Sequence, residues 1–277
     1  MAKKNLFTAL AVAVSLTISA PTLSGCVSST TTNSATTNRT QIMLVSEQEV
    51  VAESQKQYAQ VLSQAKIQGT LNSNKQQTKR VQTIAKKLIA AAPTFRSDCK
   101  NWQWEVNVIN SKEVNAWCMP GGKIAVYTGL INTIKPTDDE LAVVISHEIA
   151  HALREHSREQ MSAEMAKQGA LNVAALFGVS ETKLQLGEMI SNVGFSLPFS
   201  RSHETEADEL GLELMYAAGY NVDAATSLWK KMMAASGGGS SSALQNLLST
   251  HPSDEDRIEN LTELSAKLKS QKSDLKK

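Results

Sequence analysis

The sequence predicts an α+β domain that is mostly helical and carries one small antiparallel sheet. Two changes in hydrophobic period along the chain support this prediction. Apolar residues recur every three to four positions over 46–67 and 74–91, as on one face of a helix. Over 102–127 large apolar residues alternate with polar ones, which is typical of strands, and from Thr137 onward the helical period returns.

Local signals set the expected boundaries of these elements. Pro93 ends the second helix, and the Pro-Gly-Gly turn at 120–122 separates two strand candidates. Thr137 and Glu140 form a capping-box pattern at the start of a helix that is expected to run to about His156. Further helices are expected at 161–175, 182–193, 204–218, 224–235 and from about 253, with a flexible Gly-Ser loop at 237–242.

The composition is that of a globular protein. The chain has 277 residues, of which 42% are hydrophobic and 20% are charged, so a hydrophobic core is expected over most of the length. The formal net charge is +1. Nucleic-acid binding requires a basic excess or stripe, so no nucleic-acid partner is expected.

The first 25 residues have the features of a signal peptide. Lys3 and Lys4 form a positively charged start, and 6–20 is an apolar run too short to span a bilayer comfortably. The tetrapeptide at 23–26, Leu-Ser-Gly-Cys, resembles a bacterial lipobox, which is cleaved before its cysteine and lipidated on it. The alternative is an ordinary secretory signal followed by an incidental cysteine.

The lipobox interpretation predicts a lipid anchor on Cys26, in a bacterial cell envelope and facing the periplasm. Val27 follows it, and by resemblance to enterobacterial sorting a residue other than Asp favours the outer membrane over the inner one. Ser, Thr and Asn dominate much of 26–44, which is expected to be a flexible tether. The folded domain is expected at 45–270, and the lysine-rich tail 271–277 is expected to be disordered.

Cys99 and Cys118 are the other two cysteines of the chain. An exported protein enters an oxidising compartment, so these thiols are expected to form a disulfide. Such a bridge would stabilise the fold by about 3 kcal/mol through the loop that it closes. The alternative is two separate buried thiols.

Residues 147–151 read His-Glu-Ile-Ala-His and match the pattern H-E-x-x-H. Histidines four positions apart on a helix are separated by about 40° in projection, so His147 and His151 can share one metal ion. Glu148 lies about 100° from His147, beside the metal. There it can act as the general base on a water whose pKa zinc lowers towards ~7, and then protonate the leaving amine. The alternative is two surface histidines that lie four apart by chance.

A catalytic zinc site of this type needs a third protein ligand. His156 is rejected, because on a continuing helix it lies about 140° from His151 and no glycine between them turns the chain. Glu204 is the better donor, and Asp208 on the same helix face could accept the other ring N–H of a liganding histidine. Glu206 is the rival ligand, and a solvated acidic face is the alternative for all three carboxylates.

Four segments together resemble metallopeptidase family forty-eight, a gluzincin family that includes the C-a-a-X prenyl endopeptidases and bacterial periplasmic peptidases. They occur in the family's order and span roughly 45–266. The four are an edge-strand segment (Asn115-Ala116, Pro120-Gly121-Gly122 and Val126 to Leu130), the zinc helix (His147 to His151), S-R-x-x-E-x-x-A-D (Ser200 to Asp208) and H-P-x-x-x-x-R (His251 to Arg257).

This resemblance implies a zincin-like fold with one zinc ion per chain and Glu204 as its third ligand. Asn115 and Ala116 would pair with an extended substrate chain. Asp208 and Arg257 would lie behind the metal ligands. His251 would lie near the metal, where it either coordinates zinc and keeps the enzyme inactive or assists catalysis. The segment 161–198 would be a helical hairpin, which is either a lid over the cleft or part of the core.

The leading hypothesis for function is a zinc endopeptidase, with Glu148 and His251 in catalysis, that cleaves misfolded or unassembled envelope proteins. Its expected partners are polypeptide substrates, the membrane through the lipid anchor, and outer-membrane assembly or quality-control proteins. One alternative is a lipid-anchored binding or chaperone-like protein with a structural or latent zinc site. Another is a zinc hydrolase for a non-peptide bond, which the edge-strand segment disfavours.

Overall fold

The computed structural model describes residues 26–171, 198–236, 241–251 and 256–274. Within these ranges most of the chain is helical and two small sheets are present, so the predicted fold class is confirmed. The expected signal peptide, residues 172–197 of the expected hairpin and residues 237–240 of the expected loop lie outside the described residues.

The elements are numbered in chain order. The helices are α1 (Glu47–Ile67), α2 (Lys75–Ala91), α3 (Thr128–Ile134), α4 (Asp138–Leu153), α5 (His156–Leu171), α6 (Arg201–Ala217), α7 (Ala224–Ser236), α8 (Ser241–Thr250) and α9 (Arg257–Asp274). The strands are β1 (Cys26–Ser28), β2 (Gln41–Met43), β3 (Glu105–Ile109), β4 (Ala116–Met119) and β5 (Lys123–Tyr127).

Side-chain caps begin both α2 and α4. The Asn74 side chain accepts a hydrogen bond from the Gln77 amide at the start of α2. At the start of α4, Thr137 Oγ1 accepts from the Glu140 amide at 3.2 Å and Glu140 Oε2 accepts from the Thr137 amide at 2.7 Å. The predicted capping box is thereby confirmed, and it satisfies amides that the first helical turn leaves unpaired.

Helix α4 is the centre of the fold. Its residues are buried from Glu140 to Leu153, and it contacts α2, α6, α7 and β4. A helix that is buried on nearly every face needs neighbouring elements to cover each of those faces. The segment 147–151 is therefore held by packing on several sides.

The main sheet has three strands in the order β3-β5-β4. β4 pairs antiparallel with β5, while β3 pairs parallel with β5 in the register Val106 to Ile124. The prediction of an antiparallel sheet is thus wrong for one of the two pairings. Alternation reports which face a residue occupies and carries no information on strand direction, which depends on how the chain returns between strands.

The chain turns between α4 and α5 without a glycine. Glu155 adopts a left-handed conformation with φ 52°, and α4 ends at Leu153 instead of continuing to His156. The Glu155 carboxylate bonds to Arg96 at 2.7 Å and to Arg158 at 2.6 Å. These contacts stabilise a backbone conformation that is uncommon for a residue other than glycine, and they are not visible in the local sequence.

The prediction of a flexible tether over 26–44 is wrong, because this part of the chain is docked on the domain. β1 and β2 pair antiparallel, and the Thr32 amide donates to the Phe95 carbonyl at 2.7 Å. The Gln41 side chain donates to the Arg154 carbonyl at 2.7 Å. The polar side chains that suggested disorder are the hydrogen-bond partners of buried charged groups, a pairing that hydrophobic periodicity does not reveal.

Cys99 and Cys118 are free thiols, so the predicted disulfide is wrong. Cys99 lies in a short helical turn (Ser97–Asn101) and Cys118 in β4, and both are buried in the hydrophobic core. Burial raises the pKa of the Cys99 thiol to about 11 and that of Cys118 well above its usual value. Thiol–disulfide exchange requires the thiolate, so burial disfavours oxidation at both positions.

Two findings concern the end of the chain and the membrane. Helix α9 continues to Asp274, so the disorder expected from 271 onward is wrong for its first four residues. Among the described helices, none combines the length and the apolar character needed to cross a bilayer.

Candidate metal centre

Four buried side chains from three parts of the chain converge beside α4. His147 and His151 lie on α4, Glu204 lies in the first turn of α6, and His251 follows α8. Each offers one ligand atom, and these atoms all lie within 4.8 Å of one another. In the described part of the chain, this is the cluster of His, Cys, Asp and Glu able to hold a metal ion.

The donor atoms have the spacing of a tetrahedral zinc site. His147 Nε2 is 3.0 Å from His151 Nε2 and 3.3 Å from His251 Nδ1. The Glu204 carboxylate lies 3.4 Å from His147, 3.3 Å from His151 and 3.0 Å from His251. Zinc bound at about 2.0–2.1 Å by four tetrahedral ligands implies ligand–ligand separations of about 3.3–3.4 Å. The four side chains therefore fit zinc in number, chemistry and spacing.

A second layer of charged groups holds the donors in place. Asp208 Oδ1 lies 2.9 Å from His147 Nδ1, so the carboxylate can accept the ring N–H and leave Nε2 for the metal. Arg257 donates to Asp208 at 2.7 Å and to Glu204 at 3.3 Å. Asp208 and Arg257 therefore lie behind the metal-ligand atoms, with Asp208 against His147 and Arg257 against both carboxylates.

The carboxylates of Glu204 and Asp208 make the donor cluster favourable for a positive charge. Burial opposes ionisation of Glu204, but His147 and His151 together hold the pKa of its carboxyl well below the usual range. Burial also disfavours the charged form of His147, yet Glu204 and Asp208 raise the pKa of this histidine to about 10. A metal cation supplies positive charge at the same place.

Glu148 lies beside the cluster and outside the donor set. Its Oε1 atom is 3.5 Å from His251 Nε2. Burial raises the pKa of the Glu148 carboxyl above its usual value, while His251 and His147 act in the opposite direction. A buried carboxyl with a raised pKa next to a metal site is suited to accept and return a proton.

Glu206, the rival ligand, points away from the donor cluster. Its carboxylate bonds to Arg154 at 2.9 Å and to His156 at 3.1 Å. His156 is fully buried, and its Nδ1 lies 2.8 Å from Nδ1 of His151. His156 therefore lies behind a candidate ligand, where the turn between α4 and α5 places it.

Asn115 and Ala116 lie where β4 begins, at the edge of the sheet and against α4. The Asn115 carbonyl accepts from the Tyr127 amide at 3.0 Å, and the Ala116 amide donates to the Asn115 side chain at 2.9 Å. An incoming chain that used this amide would displace the Asn115 side chain. Pairing of Asn115 and Ala116 with a substrate chain stays a prediction.

A small apolar pocket of about 40 Å³ adjoins Glu148 and His251. Leu228, Trp229 and Met232 of α7 form one wall, together with Leu247 of α8. Sequence reasoning did not find this pocket, because its residues are ordinary apolar positions of two helices. It also did not find Phe199, whose ring stacks on His151 at 4.1 Å between centroids.

Two histidines on the core helix α4, a glutamate from α6 and a further glutamate beside them define a zincin-like metallopeptidase. Residues 75–265 match the description "Peptidase family M48". The chain belongs to this family of zinc metallopeptidases, as its sequence motifs predicted.

Named relatives support the same assignment. The chain is 36% identical over 183 residues to the mitochondrial metalloendopeptidase OMA1 of Schizosaccharomyces pombe, covering 66% of this chain and 51% of the relative. It is 24% identical to the metalloprotease YcaL of Escherichia coli, covering 69% and 74% of the two chains. It is 29% identical to a putative beta-barrel assembly-enhancing protease of Vibrio cholerae, covering 54% and 32%. The chain therefore spans about half the length of the Schizosaccharomyces relative.

Proposed function

We propose that the protein is a zinc-dependent endopeptidase in which His147, His151 and Glu204 hold the metal. The observation that supports this best is the position of Glu148, buried and adjacent to the donor cluster without belonging to it. A purely structural zinc site is closed by its ligands and has no use for such a carboxylate.

In this mechanism the bound zinc would polarise the scissile carbonyl and acidify the attacking water. Glu148 accepts the proton of that water and delivers it to the nitrogen of the leaving amine. Asp208 keeps the proton on Nδ1 of His147, so that Nε2 remains available as a ligand. Arg257 holds both Asp208 and Glu204 in their observed orientations.

We further propose that the described conformation is a latched state. Catalytic zinc sites keep one coordination position open, whereas Nδ1 of His251 takes the fourth corner of this donor set. Its other ring nitrogen lies 3.5 Å from Glu148, so His251 contacts both the ligands and the proposed base. Movement of His251 would free the fourth position and Glu148 together.

The substrate proposed is an extended polypeptide that pairs with β4. Its backbone would add to the outer edge of the sheet at Asn115 and Ala116, a mode of binding that reads main-chain groups. The apolar pocket beside Glu148 would take a hydrophobic side chain next to the cleaved bond. Unfolded proteins expose both features, which agrees with a role in removing misfolded or unassembled proteins.

The proposed location is the bacterial envelope, with a lipid on Cys26 and the domain facing the periplasm. The lipobox pattern at 23–26 supports this proposal, and the Vibrio cholerae relative bears the name of an assembly-enhancing protease for beta-barrels. Fractionation of cells that produce the Cys26→Ser variant tests it. Release from the outer-membrane fraction is expected, and a variant that stays there would reject lipid anchoring at Cys26.

The central test pairs zinc content with casein cleavage for the full-length protein in detergent. Wild type and Glu148→Gln are both expected to hold about one zinc ion, because Glu148 is not a ligand, and only the wild type should cleave. Cleavage by Glu148→Gln at the wild-type rate would reject the mechanism.

A second candidate function is zinc-dependent binding of unfolded chains without cleavage, which the closed donor set favours. It predicts that both proteins bind zinc and casein and that neither cleaves, even after His251 is replaced by alanine.

A further inference from the structure

A chain of hydrogen bonds connects His151 to the N-terminal segment, defined here as residues 29–43. Nδ1 of His151 lies 2.8 Å from Nδ1 of His156, and Nε2 of His156 lies 3.1 Å from Glu206 Oε2. Glu206 Oε1 in turn accepts from Nε of Arg39 at 2.5 Å. His156 and Glu206 are buried, so the contact between them is shielded from water, whereas Arg39 reaches Glu206 from the surface.

The donors and acceptors of this chain are complementary. Nε2 of His151 faces the metal cluster, so its ring proton is on Nδ1. Nε2 of His156 faces a carboxylate and therefore donates to it, which leaves Nδ1 of His156 as an acceptor. His156 is thus oriented to accept the ring N–H of His151, the partner that metal-bound histidines usually require.

The N-terminal segment also encloses Arg154, which is fully buried. Arg154 donates to Ser29 Oγ at 2.9 Å and to the Arg39 carbonyl at 3.1 Å, and its Nε donates to Glu206 at 3.0 Å. Buried charges are retained only when they are paired and hydrogen-bonded. The segment therefore completes the surroundings of Glu206, on which the orientation of His156 depends.

We propose that His156 is a positioning residue for the zinc ligand His151, and that the N-terminal segment holds it in place through Arg39 and Glu206. The inference rests on the proposed role of His151 as a ligand. It makes the segment between the proposed lipid anchor and the catalytic domain a part of the metal site. Metal affinity then depends on residues that precede the domain.

The experiment measures the zinc dissociation constant of the full-length protein in detergent by competition with a chromogenic chelator. His156→Leu should weaken zinc binding by about 10–100-fold, the usual effect of removing such a partner. His156→Asn keeps an acceptor at the place of Nδ1 and should stay within about threefold of wild type, so that the acceptor, rather than side-chain bulk, is identified as the cause.

Arg39→Gln tests the link to the N-terminal segment. It should weaken zinc binding at least threefold, while the matched control Arg80→Gln should have no effect. Arg80 forms a comparable ion pair, 2.6 Å from Asp138 at the opposite end of α4. The double variant His156→Leu/Arg39→Gln should bind zinc no more weakly than His156→Leu alone, because Arg39 acts through His156.

The outcomes separate this inference from the proposed function. If the wild-type protein binds no zinc, the proposed function is wrong and the inference loses its basis. If the wild-type protein binds zinc, three results would reject the inference alone. These are a normal zinc affinity in His156→Leu, an equal loss of affinity in His156→Leu and His156→Asn, or an equal affinity in Arg39→Gln and Arg80→Gln. Should His156→Leu fail to fold, His156→Asn, Arg39→Gln and the control still decide it.

Discussion

Gly211 of α6 lies directly against the backbone of His147 on α4. A Cβ atom added at Gly211 would come within 3.1 Å of the His147 nitrogen and 3.2 Å of its Cα. Glycine thus permits the close approach of the two helices that carry His147, His151 and Glu204.

Gly211→Ala is expected to weaken both the fold and the metal site. Helix propensity favours alanine by about 1 kcal/mol, but overpacking against backbone costs about 1–3 kcal/mol. A net loss of about 1 kcal/mol should lower the melting temperature by about 2–4 °C. Zinc affinity should fall as well, because the ligands on α4 and α6 move apart. Calorimetry and chelator competition measure the two effects, and an unchanged zinc affinity would contradict this account of Gly211.

Replacement of Glu204 by alanine should abolish stable zinc binding and cleavage, since it removes a donor. Glu206→Ala should retain zinc with an affinity reduced by about 10–100-fold, the effect typical of the groups behind the ligands. Metal analysis after dialysis distinguishes the two variants. Full zinc occupancy in Glu204→Ala together with loss of zinc in Glu206→Ala would mean that Glu206, and not Glu204, is the third ligand.

His251→Ala is expected to increase casein cleavage. A latch that stabilises the closed state by about 1.4 kcal/mol reduces the open fraction about tenfold, so its removal should raise kcat/KM by about that factor. The double variant Glu148→Gln/His251→Ala controls for contaminating peptidases and should be inactive. Loss of activity with zinc retained in His251→Ala would instead assign His251 an assisting role in catalysis.

Stability at acidic pH should depend on Glu140. Burial alone would raise the pKa of this carboxyl, but Lys231, Ser227 and the Thr137 amide lower it below the value of 4.5 for an unperturbed Glu. A carboxyl whose pKa is lower in the folded state stabilises the fold above about pH 4.5, and this stability is lost as the pH falls through the folded-state pKa.

Glu140→Gln should accordingly be less stable than wild type at neutral pH and show a shallower loss of stability below pH 4.5. Urea unfolding at pH 3, 4, 5 and 7 measures this difference. Parallel pH profiles for the two proteins would show that Glu140 makes no such contribution.

Local physical chemistry was sufficient for several elements. The capping box at Thr137 and the 3.6-residue period located α2 and the start of α4 to within a residue or so, because these signals act within one or two turns. The spacing of His147, Glu148 and His151 also fixes their relation on any helix. The candidate ligands and base could thus be named from sequence, and the structure brings His147, His151 and Glu204 together.

Wrong predictions arose where the outcome depends on distant partners. The left-handed turn at Glu155 depends on Arg96, and the docked segment 29–43 depends on buried groups such as Arg154 and Glu206. Cys99 and Cys118 were paired from the expected compartment alone, whereas their burial as separate thiols is a property of the packed core. None of these contacts leaves a periodic trace in the sequence.

Local residue patterns were enough to predict the fold class, the family and a zinc site, because helix periodicity and residue type act over short stretches of chain. Tertiary packing was needed to show that His251 completes the donor set and that His156 lies behind His151. It also decided that Arg39 reaches Glu206 from a segment that looked like a tether. These relationships join residues far apart in the chain, and packing around α4 is the physical cause that brings them within hydrogen-bonding distance.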